Sequence, residues 1–375
     1  MQRVVIVGCG VVGATLAYEL SRCSEFQVTV VDASTPASGS TGAALGVLMA
    51  VISQRGQGRS WRLREQSLRR YQTLLPELEE ITGQPIPRNS QGILSLCFAA
   101  EEVPRWQSLQ AIRQQQGYLL ELWSPAQVSQ RCPHLNSTAV ALGIYSPADL
   151  QVQPRPLTEA LVAAATRQGV SFYFEEPVQA LIGPGPQTSA SGYCRAVNTA
   201  ARSLPADWVV ITAGLGSLPL TQALGQPIAL GPVLGQAVRL HLDHPLGDAQ
   251  FQPVVNGHDI HLVPLGGGDY WVGATVEFPA TVAATSGAEL RPAADRLQEV
   301  LAGALAYCPS LAQGTIVDRW FGLRPRPQGQ AAPVIQPLAG YRNLWVATGH
   351  YRNGVLLAPA TAIAVRDQLL SQLPG

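Results

Sequence analysis

The chain has 375 residues, with 25 arginines, no lysine, and 25 acidic residues that balance the basic ones. Because there is no lysine, the composition excludes a Schiff-base amine, a pyridoxal-phosphate anchor and a phosphate-loop lysine. The balanced charge and the 13% of charged residues are typical of a globular protein that does not bind nucleic acid. The length predicts about two domains.

The N-terminal residues predict a βαβ unit. Residues 3–8 are a β-branched run suited to a strand buried on both faces, residues 11–23 carry apolar side chains at helical spacing, and residues 27–32 are strand-like again. Further helices are predicted over residues 61–82, 157–168 and 290–307, and further strands over residues 171–174, 208–212, 236–241, 259–263, 270–276 and 343–348.

The C-terminal residues predict a last helix over 358–370, with Pro359 in its first turn, where the missing N–H costs nothing. Strand and helix patterns at both ends enclose a strand-rich middle. This order predicts an α/β fold in which a nucleotide-binding domain is assembled from separated segments, with a sheet-rich second domain and a ligand pocket between the two.

The six cysteines are scattered, without a CxxC pair or a histidine in metal-ligand spacing, so reduced thiols and no metal site are expected. The first residues are not in signal-peptide order, and no apolar run reaches the roughly 20 residues of a membrane span. These features predict a cytoplasmic protein without a membrane span.

A glycine fingerprint, Gly8-Cys9-Gly10-Val11-Val12-Gly13, follows the first strand and opens the first helix, and Asp32 ends the next strand. Gly8 suits a tight turn, Gly10 suits close approach to a pyrophosphate, and Gly13 suits close helix packing. Asp32 is placed to accept hydrogen bonds from a ribose. This context indicates a dinucleotide, FAD or NAD, since the fingerprint binds the ADP half that both share.

Eight further motifs, taken in order, resemble the FAD-dependent amine and amino-acid oxidases of the D-amino-acid oxidase (DAO) type, the glycine oxidases among them. The motifs cover most of the chain and are ASGSTGAA (37–44), VQPRPLTEAL (152–161), VVITAG (209–214), PVLGQ (232–236), GLRP (322–325) and ATGHYRNGVLLAP (347–359), with LVP (262–264) and VGATVE (272–277) between the fourth and fifth.

The resemblance implies an FAD-binding Rossmann-like domain of the glutathione-reductase type, interleaved with a substrate domain of antiparallel sheet plus helices. The FAD-binding domain is expected over residues 1–85, 140–220 and 322–375, and the substrate domain over 86–139 and 221–321. FAD is expected to be non-covalent, because neither histidine nor cysteine stands near Gly214 or Arg324 and Cys308 does not match the covalent members. The oligomeric state is left open, a homo-oligomer being possible.

The cofactor-binding residues that the fingerprint and the resemblance imply fall in five short stretches and one separate position, Val178. They are Gly8, Gly10, Val11, Val12 and Gly13; Asp32 and Ala33; Ser40, Thr41, Gly42, Ala43 and Ala44; Val178, Thr212, Ala213 and Gly214; and Gly349, His350, Arg352, Asn353, Gly354, Val355 and Leu356.

Three residues are expected near the substrate. Arg324 resembles the arginine that holds the substrate carboxylate, a task that the planar guanidinium fork suits. Arg352 is expected beside the flavin ring, where it adds positive potential. His261 stands where glycine oxidases have an aromatic hydroxyl, and it either donates a hydrogen bond to the carboxylate or is a core residue. Leu265 stands where an arginine is frequent in the family. Together, His261 and Leu265 leave the identity of the substrate open.

The function that this resemblance implies is oxidative deamination of a small amino acid or secondary amine, such as glycine, sarcosine or a D-amino acid. Hydride passes to flavin N5, and the products are an oxo acid, ammonia or an amine, and hydrogen peroxide if oxygen is the acceptor. Monomeric sarcosine oxidases use a lysine for oxygen activation, which this chain lacks. One alternative is therefore a dehydrogenase that passes electrons to a quinone or carrier. The changes at His261 and Leu265 leave open a non-catalytic flavin protein, and the fingerprint by itself leaves open an NAD(P)-dependent dehydrogenase.

Overall fold

A computed structural model describes residues 1–183, 192–279 and 290–373. Its helices are α1 (Val11–Ser21), α2 (Gly58–Thr82), α3 (Val103–Gln115), α4 (Pro125–Arg131), α5 (Pro154–Arg167), α6 (Ser217–Ala223), α7 (Ala294–Tyr307) and α8 (Gly354–Ser371). Its strands are β1 (Gln2–Val7), β2 (Phe26–Val31), β3 (Val47–Leu48), β4 (Arg88–Asn89), β5 (Ile93–Cys97), β6 (Glu121–Trp123), β7 (Leu142–Ser146), β8 (Leu150–Val152), β9 (Ser171–Tyr173), β10 (Ala180–Ile182), β11 (Ala196–Asn198), β12 (Ser203–Pro205), β13 (Trp208–Ile211), β14 (Leu230–His241), β15 (Val254–Gly257), β16 (Ile260–Gly266), β17 (Asp269–Gly273), β18 (Thr315–Pro327), β19 (Val334–Pro337) and β20 (Leu344–Thr348).

A six-stranded sheet in the order β19-β20-β13-β1-β2-β9 forms the nucleotide-binding body. Its strands are parallel except for the β19–β20 pair. Val4 and Ile6 pack with the apolar faces of α1, α2, α5 and α8, whereas Val5 and Val7 pack on the opposite side with residues of β11, β13 and β20. A continuous apolar run is therefore buried on both faces, as the sequence predicts.

An eight-stranded sheet in the order β18-β14-β17-β16-β15-β5-β7-β6 forms the second body. All neighbouring pairs are antiparallel except β15–β5. One face buries apolar side chains against α4 and α7. The strand β7 belongs to this sheet, although the sequence assigned residues from 140 onward to the FAD-binding segments.

The last helix begins earlier than predicted. It starts at Gly354, so Pro359 lies inside the helix and not in its first turn, and the prediction was wrong on this point. Pro359 cannot donate to the carbonyl of Val355, and that oxygen accepts from the Tyr71 hydroxyl at 2.5 Å instead. The Ala360 N–H donates to Ser67 Oγ at 3.1 Å. Two polar groups of α2 thus satisfy the backbone where proline interrupts α8.

The remaining boundaries differ by a few residues from the predicted ones, and the helix expected from 290 begins at Ala294. Within the described ranges, no helix is both long and apolar enough to cross a membrane. All six cysteines are free thiols, five of them buried.

Candidate active site

A cavity of about 1330 Å³ lies between the two bodies. On one side its wall is formed by the carboxyl ends of β1, β2, β13 and β20, and on the other by residues of β14, β16, β17 and β18. In parallel α/β sheets, ligands bind outside the carboxyl ends of the strands. The sequence-predicted residues meet along this wall.

The glycine fingerprint forms the turn between β1 and α1. Gly8 adopts φ +109°, which a side chain would strain, and a Cβ on Gly13 would lie 1.9 Å from the Gly8 carbonyl oxygen. Gly13 therefore allows α1 to pack directly on the turn, as predicted, and it lies behind the cavity wall. Gly10 is the N-cap residue of α1 and has no side chain that could cap the helix. Because Gly10 lines the cavity, the positive end of the α1 dipole faces the cavity.

Asp32 lies at the end of β2 on the cavity wall. One carboxylate oxygen accepts from the Cys9 N–H, and the other accepts from the Ser34 N–H at 2.8 Å. These bonds hold the carboxylate at the edge of the glycine turn. A carboxylate has about four lone-pair sites, so it retains acceptor capacity toward a ribose hydroxyl.

The segment 40–43 joins the two bodies through main-chain and side-chain contacts. The Ser40 hydroxyl donates to the Leu323 carbonyl, and Trp320 Nε1 donates to the Ala43 carbonyl at 3.0 Å. Thr41 Oγ1 accepts from the Val11 N–H at 3.1 Å. The segment is thereby tied both to α1 and to β18, the strand that carries Arg324.

Arg324 projects from β18 into the cavity, opposite Val233 of β14. Its Nη1 donates to the carbonyls of Thr275 at 2.9 Å and Leu234 at 3.1 Å. No carboxylate within the described residues forms an ion pair with it. Burial lowers the pKa of this guanidinium, as does the positive charge of Arg352, against the smaller opposing effects of Asp259 and Glu277. Such a group favours binding of an anion.

Arg352 also lines the cavity, but both its Nη atoms donate to the Asp259 carboxylate, at 2.6 and 2.7 Å. No local sequence pattern indicates Asp259 as its partner. Asp259 raises the pKa of Arg352, while Arg352 lowers that of Asp259 against the opposing effect of burial. The positive potential expected from Arg352 is therefore largely neutralised, whereas Arg324 has no ion-pair partner among the described residues.

Two histidines on the wall are held in the neutral form. The His261 Nδ1 is buried without a hydrogen-bond partner, and burial together with the charge of Arg352 lowers its pKa to about 4. The buried His350 shares a hydrogen bond of 2.9 Å with Thr361 Oγ1, and burial lowers its pKa to about 4 as well. His261 can thus offer a neutral ring to a ligand, whereas the ring of His350 is engaged inside the protein.

All the predicted cofactor-binding residues line the cavity except Gly13 and Asn353. The Asn353 amide oxygen accepts from Arg64 Nη2 at 3.4 Å, on the side of α2. Sequence reasoning missed Arg155, Trp271 and Trp320, which complete the wall. The signal for Arg155 is its place in the motif 152–161. No local pattern identifies the two tryptophans as neighbours, although their ring centroids lie 5.7 Å apart.

The wall fits a dinucleotide. The volume of the cavity exceeds the roughly 300–1,000 Å³ typical of small-ligand pockets. The cavity can therefore hold a dinucleotide together with a second small molecule. The start of α1 and the carboxylate of Asp32 lie at one end, matched to a pyrophosphate and a ribose. The start of α8 lies at the other end, near Arg324, since the Tyr351 N–H donates to the Pro325 carbonyl at 3.0 Å.

Comparisons with known proteins agree with this geometry. A family model described as DAO, FAD dependent oxidoreductase, matches residues 3–368. The chain is 29% identical to a glycine oxidase of Geobacillus kaustophilus over 97% of this chain and 92% of that one. It is 32% identical to the bifunctional protein ThiO/ThiG of a Synechocystis species, matching 98% of this chain and spanning about half, 52%, of that relative.

The fold is similar to solved structures along its whole length. A glycine oxidase structure from Geobacillus kaustophilus superposes with a TM-score of 0.86 at 28% identity, covering 100% of this chain and 96% of that one.

Proposed function

Because the chain belongs to the DAO family of FAD-dependent oxidoreductases, we propose that it oxidises a small amine or amino acid that carries one carboxylate. Glycine, sarcosine and a D-amino acid belong to this class. The glycine oxidases among the relatives support the class, and the family rules out the NAD(P)-dependent alternative.

The observation that carries the proposal is the unpaired guanidinium of Arg324. It is held by two backbone carbonyls, and no acid of the described residues neutralises it. A planar fork held in this way can bind both oxygens of a carboxylate and fix which substrate hydrogen faces the cofactor. Arg324 is therefore assigned to the substrate carboxylate, and the neutral His261 ring to the same end of the substrate.

The cofactor is FAD, which we propose is held without a covalent bond by the glycine turn, Asp32, segment 40–43 and the start of α8. When bound, FAD supplies the two-electron acceptor for the hydride of the substrate α-carbon. The protein's residues orient the substrate, and its walls exclude water. No strong base is required of the chain, because the amine reacts in its neutral form and the imine product hydrolyses in water to an oxo acid and ammonia or an amine.

We propose dioxygen as the electron acceptor, with hydrogen peroxide as the reduced product, which the names of the glycine oxidases support. The chain has no lysine, and the guanidinium of Arg352 is paired with Asp259. Neither a lysine nor an unpaired Arg352 is therefore present to assist the reaction with oxygen. A quinone or carrier remains the alternative acceptor.

We also propose the domain division over residues 1–85, 140–220 and 322–375 against 86–139 and 221–321. Sheet membership supports it except at β7 (Leu142–Ser146) and at residues 322–327 of β18, which belong to the eight-stranded sheet. The six free thiols support a cytoplasmic location. A homo-oligomer is compatible with these proposals.

The test is a substrate panel presented to the purified yellow protein without oxygen. A carboxylate-bearing amine is expected to bleach the flavin absorption, and peroxide is expected when air is admitted. Arg324→Ala should weaken substrate capture by roughly 2 to 5 kcal/mol, whereas Arg319→Ala, exposed on the same strand, serves as the control. A KM unchanged by Arg324→Ala would remove the carboxylate assignment. Bound flavin that no amine bleaches would favour a non-catalytic flavin protein.

A further inference from the structure

The Arg352–Asp259 pair joins two distant parts of the chain at the cavity. Asp259 lies in the turn between β15 (Val254–Gly257) and β16 (Ile260–Gly266), while Arg352 lies in the turn that precedes α8. Both guanidinium Nη atoms donate to the two carboxylate oxygens, at 2.6 and 2.7 Å. The Asp259 side chain is 60% exposed and that of Arg352 is 33% exposed, so the pair lies toward the open side of the cavity.

The turn that presents Asp259 is held independently of this ion pair. His258 and Asp259 both have positive φ, 51° and 65°, a conformation that asparagine and aspartate tolerate better than most residues. The His258 ring stacks on Phe98, with ring centroids 4.0 Å apart and an interplanar angle of 9°. The position of the Asp259 carboxylate is therefore determined by the turn conformation and by the stacking of His258 on Phe98, in addition to the ion pair.

Arg352 and Asp259 together carry no net charge, and Glu277 acts on Arg324 without forming an ion pair, since its carboxylate accepts from Thr275, Gln236 and the Ala293 N–H. Arg324 and Arg352 are cationic, Asp259 is anionic, and His261 is neutral. Arg324 can receive one carboxylate, which matches a substrate that has only one. A second carboxylate in the same cavity would meet Arg352, but Asp259 already occupies both Nη atoms of that fork and would repel a second anion.

We propose that Asp259 limits the substrate to amines with a single carboxylate, by occupying the guanidinium of Arg352 that would otherwise receive a second one. This inference rests on the proposed function, because it assumes that Arg324 binds the first carboxylate. Loss of the Asp259 charge would release Arg352 and create a second anion site, so the selected class would extend to dicarboxylic amines such as iminodiacetate. In this role Asp259 acts through Arg352, as a specificity-determining residue that does not touch the substrate.

The experiment measures ligand binding to the FAD-bound protein, so that it does not depend on turnover. Methoxyacetate and diglycolate are the probes, one with a single carboxylate and one with two, and neither has an amine to oxidise. Asp259→Asn keeps the side-chain size and tolerates the positive φ while it removes the charge. The ratio of diglycolate to methoxyacetate affinity is expected to rise by about tenfold or more, which a change of about 1.4 kcal/mol produces.

Two further variants serve as controls for the change in the affinity ratio. Asp269→Asn removes a carboxylate that pairs with Arg239 and His241 on the same sheet, and it should leave the ratio as in the wild type. Asp259→Asn combined with Arg352→Gln should lose the gain, because the released guanidinium is then absent. If the asparagine variant does not fold, Asp259→Gly supplies the same test, since glycine accepts the positive φ.

A ratio unchanged in the folded Asp259 variant overturns the inference, as does a gain that survives Arg352→Gln. Equal weakening of both probes also overturns it, since the pair would then only hold the cavity together. The proposed function has its own readout: methoxyacetate binding that is insensitive to Arg324→Ala, or a panel of amines that leaves the flavin oxidised. The two ideas can therefore fail separately.

Discussion

Gly235 of β14 is the residue that makes room for Arg324, and Gly235→Ala tests how tightly the guanidinium must be placed. A Cβ at this position would lie 2.2 Å from Nη2, 2.3 Å from Nη1 and 2.4 Å from Cζ of Arg324. Unbonded heavy atoms sit about 3.5–4.0 Å apart, so the guanidinium must move by more than about 1 Å. Its bonds to the carbonyls of Thr275 and Leu234, at 2.9 and 3.1 Å, would then be lengthened beyond the normal range.

The expected cost follows from those lengths. Hydrogen bonds from a charged donor contribute about 1.5–3 kcal/mol, and a misplacement of about 1 Å in an active site can lower the rate by about 10²-fold. We expect kcat/KM for a carboxylate-bearing amine to fall by roughly 10- to 100-fold while flavin stays bound.

Steady-state kinetics, flavin absorbance and a melting curve on the same preparation measure these effects. Gly56→Ala is the matched control, because its added Cβ would meet Ile112 Cδ1 at an ordinary 3.5 Å, away from the cavity. A Gly235→Ala enzyme with wild-type kcat/KM would refute the reasoning, since it would show that Arg324 works from a displaced position.

Two further predictions concern the cofactor and pH. Asp32→Ala should release FAD on dialysis, since hydrogen bonds to a charged acceptor contribute about 1.5–3 kcal/mol each, and full retention of yellow colour in a folded variant contradicts the ribose contact. The pKa of His350 is lowered to about 4 in the folded protein from about 6.5 when unfolded, so its contribution to stability is present above pH 6.5 and is lost as pH falls toward 4. His350→Gln, which can still bond Thr361, should make this loss shallower in denaturation curves between those pH values, and an unchanged slope would contradict the assignment.

The nucleotide end of the cavity could be predicted from the sequence because it is built from contiguous residues. Gly8, Gly10 and Gly13 act through the backbone of a single turn, and Asp32 follows in the same βαβ unit. Each role depends on local geometry, which glycine's missing side chain and the strand–helix–strand order determine.

The substrate end depends on contacts between distant residues, and these required the tertiary structure. Asp259 reaches Arg352 across 93 residues, and no local pattern marks that pair. The same holds for Pro359 and its neighbours, because the Tyr71 hydroxyl that compensates for the missing N–H lies on another helix.

The sequence alone determined the α/β class and the dinucleotide fingerprint, and it predicted Arg324 as the residue for the substrate carboxylate, since the turn and the motif that mark them are short and continuous. The tertiary structure decided that Gly235 provides the space for Arg324 and that Arg352 is already paired. Both outcomes depend on strand register and on which turns meet across the cavity. Register and long-range pairing come from packing of the whole chain, and no short segment encodes them.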